Sequence, residues 1–278
     1  MPESENRFAA FDGLELYQRC WLPPGEPSGV VVLVHGFTDH SGRYASIAGQ
    51  LNRLGYAVYA MDLRGHGRSA GDRAFVRSFD EYLADVELYL DRVRAQQPGK
   101  PLFLFGYSMG GAIVALLAIF GRAEVGGLIL CAPALAAGQQ VFPWLRHLAP
   151  LCSLLFPRLR LVRLGTSVLS RDPQTVADFN KDPLVFHGRF PVRTGAEMLR
   201  AMEQIRREME KVTLPLLILH GTGDAAADPQ GSRDLHARAA STDKTLRLYD
   251  GLYHDLLNEP EKEQVRGDLF AWLRERTN

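Results

Sequence analysis

Leu102-Phe-Leu-Phe-Gly106-Tyr107-Ser108-Met109-Gly110-Gly111, running into Ala112-Ile-Val-Ala-Leu-Leu-Ala118, is the stretch on which the reading of this chain turns. The short apolar run before Gly106 reads as a strand buried on both faces. The longer apolar run after Gly111 reads as a helix. Between them lies Gly-x-Ser-x-Gly. A strand and a helix joined this abruptly need a turn in which a Cβ at Gly106 or Gly110 would press on its neighbours. The serine is then held in a strained conformation with its hydroxyl exposed. A helix N-terminus behind it favours negative charge. Such a turn presents a nucleophile.

Outward from this turn, strands and helices alternate. Arg7–Phe11 and Leu14–Leu22 alternate in polarity around Asp12-Gly13, the pattern of an opening hairpin. Val30–Val34 and Tyr56–Met61 are further buried strands, and Tyr44–Leu54 has helical spacing up to Gly55. Phe79–Gln97 is an amphipathic helix closed by Pro98-Gly99. Strand 102–106, helix 109–120 and strand Gly127–Cys131 follow. Later come strand Leu214–Leu219, helix Gln230–Ala239, strand Thr245–Tyr249 and helix Glu261–Arg276. The alternation predicts an α/β fold, a mostly parallel central sheet flanked by helices. It stops only between Ala134 and Lys211, which reads as an inserted helical cap. The expected division is a core of residues 1–133 and 212–278 with a cap of residues 134–211. Insertions at the C-terminal edge of such a sheet sit over the ligand site.

Composition excludes several classes. Lys+Arg 32 balance Asp+Glu 32 in 278 residues, so no net charge draws the chain to nucleic acid. Met1-Pro-Glu-Ser-Glu-Asn-Arg lacks the apolar core of a signal peptide, and no uncharged apolar run is long enough to span a bilayer. Cys20, Cys131 and Cys152 are odd in number and scattered, as expected of reduced thiols in a cytoplasmic protein. No cofactor and no metal are expected. His220 and Asp224 lack a further ligand at proper spacing.

A serine nucleophile needs a base, and the base an orienting acid. His254 lies in the loop between strand 245–249 and the last helix. Asp224 follows strand 214–219 through His220-Gly-Thr-Gly and is preferred to Asp228. The backbone N–H groups of Phe37, after strand 30–34, and of Met109 are positioned to form an oxyanion hole. His35 and His66 are expected to brace loops, and His147 and His187 to be partly exposed cap residues.

With these residues in hand, the chain resembles the monoacylglycerol lipase and lysophospholipase branch of the α/β-hydrolases, also grouped with serine aminopeptidase-like hydrolases. The likeness rests on Val34-His-Gly-Phe-Thr-Asp-His-Ser-Gly-Arg-Tyr44, Asp62-Leu-Arg-Gly-His-Gly-Arg-Ser-Ala-Gly71, Gly106-Tyr-Ser-Met-Gly-Gly111, His220-Gly-Thr-Gly-Asp224 and Tyr253-His254. It implies the α/β-hydrolase fold, a Ser108–Asp224–His254 triad, an oxyanion hole at Phe37 and Met109, and a lipid ester substrate. Asp39 and Arg43 match positions that lie near the glycerol head group in relatives; a loop-bracing ion pair is the equal alternative. Tyr107 stands where relatives often have histidine, and its hydroxyl is placed to reach a polar head group. Ala225-Ala226-Ala227 replaces larger aliphatics, which implies a wider pocket.

The cap is rich in large apolar residues, among them Phe142, Trp144, Leu145, Leu148, Leu151, Leu154, Leu155, Phe156, Leu159, Leu161 and Val162. Arg146, Arg158, Arg160 and Arg163 are interleaved with them. Packing on the core is one reading. An acyl-chain tunnel, and an apolar face resting peripherally on a membrane with arginines at head-group level, are the sharper ones. Competing functions are a general carboxylesterase or lysophospholipase, an aminopeptidase-type amide hydrolase, and a non-catalytic ligand-binding protein on the same fold. For a peptidase, Glu197, Glu203, Glu208 and Glu210 are the available acids, but their helical spacing among arginines suggests solvated side chains. The sequence does not fix an oligomeric state.

Overall fold

The computed structural model describes residues 3–138, 152–163 and 165–277. Five strands made almost wholly of apolar residues form the middle of one sheet: β3 (Gly29–Val34), β4 (Tyr56–Met61), β5 (Leu102–Tyr107), β6 (Gly127–Cys131) and β9 (Leu216–Gly221). Every residue in them is buried, as a strand covered on both faces demands. β1 (Glu3–Ala9) and β2 (Glu15–Trp21) form the hairpin expected at one edge, and β10 (Lys244–Tyr249) closes the other. The order is β1-β2-β4-β3-β5-β6-β9-β10. The β1–β2 and β2–β4 pairs are antiparallel and the remainder parallel.

The two-residue period of the strands splits the core in two. Val30, Val32, Val34, Leu104 and Leu130 face a layer built by α2 (Phe79–Gln96) and α3 (Met109–Ile119). Val31, Leu33, Phe105 and Ile129 face α1 (Ala45–Arg53) and the final helix, Lys262–Arg274. The expected strand 214–219 begins two residues later, at Leu216. Pro215 has no N–H for the ladder, although its carbonyl accepts from Leu128 N–H at 2.8 Å.

Between β6 and β9 the described chain holds a two-strand ribbon of β7 (Arg160–Val162) and β8 (Phe190–Pro191), then α4 (Pro173–Lys181) and α5 (Val192–Glu208). Asp172 caps α4 by accepting from Gln174 N–H, with Pro173 at the first helical position. α5 is not a surface flap. Ala201 and Ile205 are buried in the main core, and Thr194 Oγ1 donates to Ala74 O at 2.9 Å. The stretch containing Phe142, Trp144, Leu145, Arg146, His147, Leu148 and Leu151 lies outside the described residues. α6 (Pro229–Arg238) and α7, the Lys262–Arg274 helix, complete the fold.

Candidate active site

Ser108 links β5 to α3 with φ 53° and ψ −116°, backbone angles that residues with a side chain rarely adopt. Its surroundings hold it there. Ser108 N–H donates to Cys131 O at 3.1 Å, and Ser108 O accepts from Ala112 and Ala134 N–H at 3.2 and 2.9 Å. A Cβ on Gly106 would lie 2.5 Å from Gly110 O, and one on Gly110 would collide with Val34 O. The tight packing read from the two glycines is present.

The structure brings Ser108, His254 and Asp224 into one hydrogen-bonded series. Ser108 Oγ donates to His254 Nε2 at 2.9 Å, and His254 Nδ1–H donates to Asp224 Oδ2 at 2.6 Å. Asp224 Oδ1 accepts from the N–H groups of Ala226 and Ala227 at 2.8 and 3.0 Å. Its Oδ2 also accepts from His220 Nε2 at 3.2 Å, and His220 Nδ1 accepts from Ser232 Oγ at 2.7 Å. Burial alone would raise the Asp224 carboxyl. The His254 charge and the bonds from both histidines outweigh burial and hold it well below the ordinary carboxylate range. Burial would likewise lower His254. The Asp224 charge and hydrogen bond, then the Asp255 and Asp39 charges, reverse this and raise it. Asp228 lies apart from the series, capping α6 through Gln230 N–H at 2.9 Å.

Phe37 follows β3 as read from the sequence. Its ring meets Phe190 of β8 edge-on at 4.2 Å and His66 at 5.4 Å. The N–H groups of Phe37 and Met109 have no backbone acceptor among the described residues. The insertion is bonded to both loops of the site. Phe186 N–H donates to Thr38 O at 2.9 Å, His40 Nε2–H to Asp182 Oδ2 at 2.9 Å, and Asp255 N–H to Leu169 O at 2.6 Å.

Asp39 and Arg43 form an ion pair. Nε faces Oδ1 at 3.0 Å, at an angle too poor for a hydrogen bond. Asp39 Oδ2 accepts from Tyr44 OH at 2.9 Å, and Arg43 Nη2 donates to Asp255 Oδ2 at 3.0 Å. Burial works against the Arg43 charge, but Asp39 and Asp255 raise its pKa. Burial raises Asp255 despite Arg43. Tyr107 is buried, its ring 5.1 Å from that of His254. Burial, then Asp255 and Asp39, push its phenol well above the usual range. The roles of two residues of this site were not read from the sequence. His220 reads as a strand end opening the His220-Gly-Thr-Gly-Asp224 segment, with no hydrogen-bonding role assigned to it, and Asp255 only as the neighbour of His254.

Ser108, His254, Asp39, Arg43, Tyr107 and Asp255 all line one cavity of about 220 Å³. Its other walls are mostly apolar, including Phe37, Leu161, Leu169, Phe179, Phe186 and Met202; Ala226 and Cys152 also reach it. Phe179 carries the Arg43 guanidinium 4.7 Å above its ring.

His35, His66 and His187 make hydrogen bonds within the fold. His35 Nε2 accepts from Leu63 N–H at 2.9 Å. His66 Nδ1 donates to Arg64 O at 3.0 Å, and burial pushes its pKa down to about 3. His187 is half-buried, lines the cavity and donates to Asp182 O at 3.0 Å. His147 lies outside the described residues. Glu197 corrects the expectation of a solvated acid: it is buried and accepts from Phe79 N–H at 3.2 Å. It caps α2 from a neighbouring element, a pairing no local pattern reveals. None of Glu197, Glu203, Glu208 and Glu210 lines the cavity.

A family model described as serine aminopeptidase, S33 (Hydrolase_4) matches residues 25–261. A monoacylglycerol lipase of Mycolicibacterium smegmatis is 36% identical over 97% of this chain and 96% of its own. The monoglyceride lipase of Homo sapiens is 37% identical over 96% of this chain and 89% of its own. The crystal structure of the Paleococcus ferrophilus monoacylglycerol lipase superposes with a TM-score of 0.84 at 33% identity. It covers 94% of this chain and 99% of that one.

Proposed function

The chain belongs to the serine aminopeptidase S33 family of α/β-hydrolases, alongside monoacylglycerol lipases, and from that premise we propose that it hydrolyses monoacylglycerols through an acyl-enzyme on Ser108. Lipid ester hydrolysis is the activity of this branch. The observation that carries the specific reading is the Ser108–His254–Asp224 series opening into a cavity lined by Asp39, Arg43 and Asp255 and otherwise by mostly apolar walls. An amphiphile with one ester fits such a shape: the acyl chain against the apolar walls, the alcohol beside Asp39, Arg43 and Tyr107.

Ser108 Oγ attacks the ester carbon while His254 Nε2 takes its proton. Asp224 holds the imidazole in the required tautomer and offsets the charge it gains. The carbonyl oxygen becomes an oxyanion on the N–H groups of Phe37 and Met109, each contributing about 3 kcal/mol. The C–O bond then breaks, and His254 returns the proton to the departing glycerol oxygen. Water gives a proton to His254 and attacks the acyl carbon, and the fatty acid leaves as Ser108 Oγ recovers its proton. No step draws on a cofactor.

The insertion between β6 and β9 is the cap over this cavity. Its exposed Leu154 (71%), Leu155 (60%) and Phe156 (60%) form an apolar surface, with Arg158, Arg160 and Arg163 following. Together they suit contact with a lipid surface. Among the described residues no helix is long and apolar enough to cross a membrane. A cytoplasmic protein touching membranes peripherally is the corresponding location.

The test is a set of initial rates on monoacylglycerols, lysophospholipids, branched and linear p-nitrophenyl esters and aminoacyl amides, with Ser108→Ala as blank. Monoacylglycerols are expected to give the highest kcat/KM. The small Ala226 at the cavity wall predicts turnover of branched acyl groups as well. Preference for aminoacyl amides, or equal rates with Ser108→Ala, contradicts the proposal.

A further inference from the structure

α5 meets the cavity with Val192, Gly195, Ala196, Met198, Leu199 and Met202. Positions 192, 195, 199 and 202 form a single helical stripe. Three of them carry a branched aliphatic or a methionine side chain; Gly195 carries none. Glycine is a poor residue inside a helix, so its presence in α5 asks for a cause. The backbone supplies none, because Gly195 is not among the residues with positive φ. Close approach supplies none either. Among the described residues, a Cβ on Gly195 meets nothing within 4 Å beyond its chain neighbours and its own helix backbone. Gly110 and Gly221 differ, since a Cβ on either would collide with a carbonyl oxygen.

What Gly195 provides is space. The gap lies about 4.5 Å along the helix axis from Val192 and about 6 Å from Leu199. Val192 follows directly on Phe190 and Pro191, and the Phe190 ring packs on Phe37 beside Ser108. The gap is therefore near the ester end of the helix, with Met202 further along.

Resting on the reading of this cavity as the acyl site, we propose that Gly195 is a specificity-determining residue: its missing side chain is the passage through which a long unbranched acyl chain leaves the ester and runs along α5 towards Met202. A Cβ at 195 meets no described residue beyond its neighbours and its own helix, and Gly195 lines the cavity, so a larger side chain there projects into the chain's path. Short acyl groups end before that point.

The test compares kcat/KM on p-nitrophenyl butyrate and p-nitrophenyl palmitate for the wild type, Gly195→Leu and Met202→Trp. Gly267→Ala is the control: Gly267 lies in α7, is exposed, and its Cβ would also meet nothing. Gly195→Leu is expected to lower the palmitate-to-butyrate ratio by roughly tenfold or more, with Tm no lower than wild type. Met202→Trp lowers the ratio less, and Gly267→Ala leaves it at the wild-type value. Gly195→Val replaces the leucine variant if the latter does not fold. A wild-type ratio in Gly195→Leu, with a lowered one in Met202→Trp, overturns the role of Gly195 while the acyl cavity stands. Wild-type ratios in both overturn the cavity reading and the proposal with it.

Discussion

Asp224 concentrates the chemistry of the site in one carboxylate. Each oxygen has two donors, one pair being backbone and the other imidazole. The raised pKa of His254 depends on it, since burial pushes the other way. A general base acts when neutral, so kcat/KM falls as pH drops through the His254 pKa, and that acid limb lies above the ordinary histidine value. Asp224→Asn removes the charge and the correct tautomer. We expect kcat to fall about 10⁴-fold and the acid limb to move to lower pH, measured as a pH–rate profile; an unmoved limb contradicts the coupling. Ser108, Asp224 and His254, which the structure joins in one hydrogen-bonded series, were legible because each follows a strand in a short loop with a recognisable signature. Asp255 was not, because its meaning comes from Arg43, 212 residues away in sequence. His220 was visible beside Asp224 in its motif, but not its role as a donor to that carboxylate, which is set by Ser232 in the next helix.

At the scale of elements, the strand–turn–helix of β5 and α3 is fixed by what surrounds it. Gly110 sits against the carbonyl oxygens of Val34 and His35, backbone atoms of a central strand and its loop that have nowhere to move. Gly110→Ala should destabilise the fold by about 3 kcal/mol, lowering Tm by roughly 6–12 °C. An unchanged melting curve would mean that the elbow is not this tightly packed. Strands β3, β4 and β6 were legible almost to the residue because continuous apolar runs bounded by glycine have few alternatives. α4 was not singled out, although Asp172-Pro173 is a helix-start signal like the Asp228-Pro229 that opens α6. Its neighbours break the strand–helix rhythm, so no period pointed to it. The sequence pattern gives a longer helix around Gly195–Met209, and α5 is that helix, begun three residues earlier; its seating on α2 and α3 has no local signal. That depends on Thr194 and Glu197 bonding to residues 74–79, at the start of α2 and just before it, more than a hundred positions away in sequence.

For the whole molecule, the sheet and its two helical layers form the base, and the described part of the β6–β9 insertion is hydrogen-bonded to the loops at the edge of that sheet. The insertion touches the Phe37 loop through Phe186 and Asp182 and the His254 loop through Leu169. Displacing the insertion would therefore break hydrogen bonds to both of these loops. Its outer face leaves Leu154, Leu155 and Phe156 in solvent, an expensive exposure for a lone protein. Replacing Leu154 and Phe156 together by serine should cut co-sedimentation with phosphatidylcholine–phosphatidylglycerol vesicles at least about tenfold. Hydrolysis of soluble p-nitrophenyl butyrate should be kept. Equal vesicle binding by the double variant contradicts docking through this face.

The central claim, that Ser108 carries the acyl group of a lipid ester, is tested most directly by active-site labelling. The protein is treated with a long-chain alkyl fluorophosphonate, digested and mapped by mass spectrometry, and residual monoacylglycerol hydrolysis is followed in parallel. The account predicts one label per chain, on the peptide bearing Ser108, with activity lost in step with labelling and no label on Ser108→Ala. A label on another residue, or monoacylglycerol hydrolysis that survives full modification of Ser108, would contradict it.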